Sequence, residues 1–420
     1  MVRYLGSVEK LFVVWVIAGL LSLFGALTYA ELAAAMPEAG GEYVYLSAAY
    51  GPFWGYLYGW TQFWVAKSGS IATLAAGFYT YLTAFYPALG ATVATIPLHI
   101  GPGGSLLEIH YGQLVAIGVI IILAGVNYVG VRSGGNLQVF VTAVKMLLIA
   151  GIIVVGLLSG KGDFSHFGSH IPTVGGIAGF FAAMVSALWA YDGWNNVSMV
   201  SSEIRAPQRN LPRALIFGTA AVMATYILIN VSYFYVLSPA QVAGSRRVAA
   251  DMMHSLYGGA AASAVTVAVL ISIFAALNGA ILAGSRVPYA MARDGLFFRT
   301  AAAVHPRFHT PGHATILLCV WSCAVVLSGW FDDLYNFVIF GSWILYLLTT
   351  LSVFVLRHKF PDMERPYRTI GYPIVPVLFI CVAALLLVST LQTRPRESLM
   401  GLGLMALSIP FYIYWRRRKA

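Results

Sequence analysis

What this chain can fold into is limited first by its apolar runs. Eleven follow one another, roughly at 11–35, 53–86, 111–130, 136–159, 175–202, 213–237, 259–290, 314–330, 334–356, 372–391 and 399–415. They are too long and continuous for barrel strands, which alternate over about ten residues, so an all-α, polytopic membrane protein is expected. A helix satisfies its own backbone polar groups, as hydrocarbon requires. Composition agrees: 59% of the 420 residues are hydrophobic, 10% are charged and the mean hydropathy is +0.79. A soluble domain carries about 25% charged residues, so a soluble enzyme, a disordered chain and a disulfide scaffold are all excluded. The three cysteines, Cys319, Cys323 and Cys381, sit within apolar runs and read as small core residues. The first run is too long for a signal-peptide core and has no cleavage-site pattern.

The net charge of +10 records basic loops rather than a nucleic-acid partner. With the C-terminal WRRRKA placed in the cytoplasm, 16 Lys and Arg residues fall on the inner side and 7 on the outer side. Lys67 and Lys145 remain, both within spans. Positive residues collect on the cytoplasmic side, so a multi-pass protein of the cell membrane with a cytoplasmic C-terminus is expected. That topology puts the N-terminus and its basic leader (Arg3, Lys10) outside, against the same rule.

The fifth span carries the densest chemistry. Mid-span it reads Trp189-Ala190-Tyr191-Asp192-Gly193-Trp194-Asn195-Asn196, so a glycine, an aspartate and two asparagines interrupt an apolar helix. Irregular backbone at membrane depth is tolerated where it lines a protein or water cavity. Discontinuous helices expose N–H and C=O groups and half-helix dipoles near the midplane, where zwitterionic substrates bind. Trp189 to Asn195 are therefore the candidate substrate-binding residues. Tyr191, Trp189 and Trp194 would shape the side-chain pocket.

Two lysines lie where charge is expensive. Lys145, in QVFVTAVKMLLIAG, is about ten residues from the inner end of its span, too deep for easy snorkelling. Lys67, in WTQFWVAKSGS, faces either the cavity, paired with Asp192, or a polar seam between helices. A cavity-facing Lys67 would repel cationic substrates. Glu31, Glu203, Arg205 and Arg209 read as inner-gate and loop ion pairs or as solvated interfacial charges. Neither histidine cluster, His166/His170 or His305/His309/His313, has a cysteine or carboxylate cluster beside it, so no metal site and no cofactor are expected. The stretch 87–109 reads as a Gly/Pro-rich outer loop with a short surface helix.

Several segments together resemble the amino acid–polyamine–organocation superfamily, in its L-amino-acid transporter-like branch. AYDGWN followed by SSEIRAPQRNLPRAL resembles the family's broken sixth helix and inner loop. TYAELAAAMPEAGGEYVYL (28–46) resembles the end of its second helix and first inner loop, and GYLYGWTQF (55–63) the start of its third. ALNGAILAGSRVPYAMARDGLF (276–297) resembles its eighth helix and the loop after it. The resemblance covers essentially the whole chain.

It implies a leucine-transporter-type five-plus-five inverted repeat with two extra helices. The first span then corresponds to the family's second helix. Residues 11–159 form an incomplete first repeat of four spans, 175–356 a second repeat of five, and 372–415 the extra pair. No GSGIF-like string, which in the family's first helix holds the substrate carboxylate, stands before residue 11. The expectation is a start site placed downstream of the true one, with a genuine eleven-helix protein as the alternative. The resemblance further implies a secondary transporter of amino acids, neutral L-amino acids first, working by alternating access without sodium. Exchange and coupling to protons stay open. The alternatives are a cationic amino acid or polyamine permease, or a truncated remnant that transports nothing. By resemblance, Lys145 stands where related carriers bind sodium and acts near Ser272 in coupling or gating.

Overall fold

A computed structural model describes residues 1–98, 105–173, 175–245, 247–329 and 331–419. Arg246 and Trp330 lie outside the described residues.

Each apolar run folds as helix. α1 (Val8–Ala35) begins at Ser7, whose hydroxyl accepts from the Lys10 amide at 3.2 Å. A nine-residue helix, α2 (Glu42–Tyr50), fills the first loop. The second span is α3 (Pro52–Thr61) and α4 (Lys67–Leu82), joined by a π turn over Gln62–Ala66. Then come α5 (Tyr111–Val129), α6 (Val131–Leu158), α7 (Gly176–Tyr191), α8 (Pro207–Val236), α9 (Gly259–Gly284), α10 (Gly312–Ser328), α11 (Phe331–Lys359) and α12 (Ile374–Thr393). The last span is α13 (Pro395–Ala406) and α14 (Ser408–Lys419), parted at Leu407. The ring of Pro410 would clash with the carbonyl four residues earlier, on Ala406.

Eight helical stretches among the described residues, one of them α13 and α14 taken together, are long and apolar enough to span a membrane. Two shorter apolar helices, α7 and α10, and the π-interrupted α3–α4 account for the other expected spans.

The loop at 87–109 departs from expectation. The short surface helix is there, one 3₁₀ turn over Pro87–Gly90, but an antiparallel hairpin follows it, in which Thr92–Leu98 (β1) pairs with Ser105–His110 (β2). The β-branched run TVATI suits a pleated strand better than a helix. Cys319 is buried, Cys323 half-buried and Cys381 exposed, so Cys381 is not a core residue.

The interior divides into two large hydrophobic cores. One gathers α1, α7, α8, α11 and α12 around Val14, Ala18, Leu188, Leu215, Val353 and Phe379. The other gathers α4, α5, α9 and α10 around Ile71, Leu123, Leu277, Ile281 and Leu318. α2 belongs to both: Tyr43 and Leu46 pack into the second core, Tyr45 and Ala49 into the first. The broken span also crosses the seam, with Tyr191 in the first core and Met199 in the second. Whatever moves one core against the other must work on α2 and on this break.

Candidate functional site

The break is made by two adjacent residues. α7 ends at Tyr191; Asp192 turns extended (φ −58°, ψ 147°) and Gly193 follows with φ +95°. That φ lies where a Cβ is strongly disfavoured, so only glycine reverses the chain here without strain. A four-residue helix, Asn196–Met199, resumes after the turn. α1 makes room for the bend. A Cβ on Gly25 would sit 2.8 Å from the Trp194 ring, and one on Gly19 would sit 2.8 Å from the Tyr191 hydroxyl. Small residues let helices approach closely in a membrane.

Each polar residue of the break is held from a different element. Tyr226 of α8 donates to the Ala190 carbonyl at 2.7 Å, and the Tyr191 hydroxyl donates to the Trp15 carbonyl of α1 at 3.2 Å. Tyr346 of α11 donates to Asp192 Oδ1 at 2.6 Å. Trp194 packs edge-on to Tyr29, centroids 4.7 Å apart, and tilted against Tyr346 at 5.9 Å. Asn195 is buried, and its Nδ2 donates to Glu42 Oε1. Asn196 accepts through Oδ1 from Lys67 Nζ.

Lys67 is buried and sits at the first position after the π turn. The widened turn shows in Ser68, whose hydroxyl donates five residues back to the Phe63 carbonyl. Such turns inside α-helices often mark functional positions. Lys67 pairs with Asn196, not with Asp192: the tyrosine of α11 occupies the Asp192 oxygen, and the amide oxygen one turn on receives the ammonium.

Trp189 is 40% exposed, on the face away from the seam that Tyr191 and Trp194 occupy.

Lys145 and Ser272 are both half-buried, and no hydrogen bond joins them. Their helices are tied together elsewhere. Asn278 of α9 donates to Gln138 Oε1 at 2.9 Å and accepts from Asn127 of α5 at 2.9 Å. α6 and α9, the fourth and seventh of alternating spans, run antiparallel. Lys145 then lies about 10 Å beyond Gln138, and Ser272 about 9 Å before Asn278, at one depth. Lys145 shares the face of Gln138, while Ser272 is turned about 120° around α9 from Asn278. The two share a level without touching.

The expected ion pairs are re-partnered. Glu203 binds buried Arg286 bidentately, at 2.8 and 3.0 Å, rather than Arg205 or Arg209. Arg286 also donates to the Leu282 carbonyl at 2.6 Å. Glu31 accepts two bonds from Arg357, at 2.9 and 2.7 Å, and two more from the amide and hydroxyl of Thr369, at 2.7 and 2.8 Å. Arg357 also stacks on Tyr372, 3.6 Å from the ring centre.

Sequence reasoning missed Glu42, Tyr226 and Tyr346. Glu42 is fully buried and accepts from Tyr58 at 2.9 Å, from Ser198 at 3.3 Å and from Asn195. Its signal was a carboxylate directly after Gly40-Gly41 in a loop that otherwise reads as solvated. The tyrosines left no signal, because phenols are common on apolar faces.

Long apolar helices in two cores, with a broken span bridging them, define a polytopic membrane protein of the carrier type. A sequence profile described as amino acid permease matches residues 2–407, and the chain belongs to that family. It is 32% identical to the human b(0,+)-type amino acid transporter 1 over 408 residues, 96% of this chain and 79% of that one. It is 32% identical to the serine/threonine exchanger SteT of Bacillus subtilis (strain 168), over 99% of this chain and 91% of that one. Against the human large neutral amino acids transporter small subunit 2 it is 30% identical, over 98% and 75% respectively.

Proposed function

We propose that the chain is a sodium-independent secondary transporter of neutral L-amino acids in the cell membrane, with its C-terminus in the cytoplasm. The observation that carries this is the break at Asp192–Asn195, placed where the two cores meet. A substrate bound there touches both cores, so rocking one against the other exposes it to each side in turn. The backbone and side chains from Ala190 to Asn195 take the amine and side chain of the substrate. The relative named as a serine/threonine exchanger supports exchange as the mode; proton symport is the second mode, supported by the buried carboxyl beside the break.

A neutral cargo follows from the fixed charges. Asp192, the carboxylate nearest the break, is engaged by Tyr346, while Lys67 holds a positive charge one turn on. A cationic side chain would meet that ammonium in a low-dielectric site, where like charges repel strongly. Lys145 and Ser272, level on adjacent helices, serve coupling between the cores. The test is a melting-temperature panel of the purified protein with single L-amino acids. Serine, threonine, alanine and leucine should stabilise it by mass action, and lysine, arginine and polyamines should not. Stabilisation by the cations alone would reverse the assignment.

A further inference from the structure

We propose that Glu42 is a proton-binding site whose protonation state sets how the broken helix is held at Asn195–Ser198. Three side-chain donors converge on this carboxylate: Tyr58 of α3, Asn195 just before the short helix that follows the break, and Ser198 within that helix. The backbone adds a tie, with the Gly40 amide donating to the Met199 carbonyl at 3.0 Å. No cation forms an ion pair with Glu42 among the described residues. Every direct partner is neutral, which is the arrangement in which a buried carboxyl gains most from becoming neutral itself.

A second observation concerns the other atom of the same partner. Asn195 Oδ1 is buried and has no hydrogen-bond partner. An ionised Glu42 can only accept, so it binds Asn195 through Nδ2 and leaves that oxygen unpaired. A protonated Glu42 carries a donor. Rotation of the amide by half a turn then gives O–H···Oδ1, and Nδ2 is released toward the break. Protonation keeps the link but reverses its polarity, and frees a donor beside the substrate segment.

The charged and titratable groups facing Glu42 are Lys67 of α4, Tyr29 of α1, Tyr45 on its own helix, Tyr58 of α3 and Tyr346 of α11. Burial pushes the Glu42 carboxyl above its ordinary value, against the pull of Asn195, Tyr58 and Lys67. The folded protein therefore binds this proton at higher pH than the unfolded chain does. Between those two values the folded state holds more protons, so stability falls as pH rises and levels off above the folded value.

Since the transport arm rests on the function proposed above, the test has two independent readouts. The first is the protonated-carboxyl infrared band of the purified full chain, titrated from about pH 4 to 9, a range reaching well above the ordinary glutamate value. The second is uptake into proteoliposomes over the same range. A band that disappears on raising the pH and is absent in Glu42→Gln, with a pH inflection in uptake that Glu42→Gln removes, is the expected result. Glu42→Asp should keep the band and shift its midpoint. A band or inflection unchanged in Glu42→Gln overturns the proposal. So does a sodium or potassium dependence that Glu42→Gln abolishes, since that assigns a metal cation. No uptake at any pH, with the band behaving as expected, would count against the transport reading and not against the proton site.

Discussion

Lys67 Nζ donates to Asn196 Oδ1 across 2.5 Å, joining the π turn of the second span to the first residue of helix beyond the break in the fifth. One belongs to the α4–α5–α9–α10 core, and the other follows a helix of the opposite core. The bond therefore sits where relative motion of the cores would be felt. Lys67→Met should leave Asn196 without its buried partner, at a cost of about 1–3 kcal/mol. The expected outcome is a lower melting temperature together with a rise in arginine uptake relative to serine. A variant that melts lower with an unchanged arginine-to-serine ratio would make Lys67 purely structural.

Tyr346 and Asp192 give a second prediction. Tyr346→Phe removes the donor at 2.6 Å while keeping the ring that packs on Trp194 and Tyr29. Asp192 is exposed, so losing this hydrogen bond costs only about 0.5–1.5 kcal/mol. KM for the neutral substrate should rise several-fold, because Asp192 is then free to turn into the break. Asp192→Asn should be milder, since an amide oxygen still accepts from Tyr346.

The turn itself depends on a single glycine. Gly193→Ala places a Cβ at φ +95°, at a cost of about 1–2 kcal/mol for a left-handed conformation. Transport should slow at least tenfold while the protein still reaches the membrane. Gly118→Ala on α5, where an added Cβ meets open space, is the control and should be silent.

Arg286 and Glu203 form a pair with one partner buried and the other partly exposed, at 1% and 24% side-chain exposure. Removing only one charge strands the other, so Glu203→Gln, which leaves the buried Arg286 guanidinium without its counter-charge, should cost about 3–5 kcal/mol. Arg286→Met should cost less, because the Glu203 carboxylate it strands already reaches solvent. The double variant should melt above Arg286→Met plus Glu203→Gln taken additively, in a thermal double-mutant cycle.

What the sequence made legible was what hydrophobic length and backbone chemistry dictate. Apolar runs of membrane length gave the spans, and Asp192-Gly193 inside one of them gave the break. Partners across the fold were not legible. Lys67 was placed beside Asp192 or a seam, and the structure chose Asn196, because a one-residue shift around a π turn redirects the side chain. Glu42 was passed over, because nothing local says that α2 folds into the seam between two cores. Glu203 found Arg286 instead of its neighbours Arg205 and Arg209, since the loop doubles back onto the end of α9. The hairpin at Thr92–His110 was masked by its glycines and prolines, although its β-branched residues were in view.

The central claim is that the break at Asp192–Asn195 binds a neutral amino acid that the protein carries across the bilayer. Exchange of labelled serine into proteoliposomes preloaded with unlabelled serine, threonine or arginine, for the wild type and Gly193→Ala side by side, tests it most directly. Saturable uptake driven by internal serine and threonine but not arginine, and at least tenfold slower in Gly193→Ala, is the expected result. Uptake no greater than in protein-free liposomes, or equal rates for the two proteins, would contradict it.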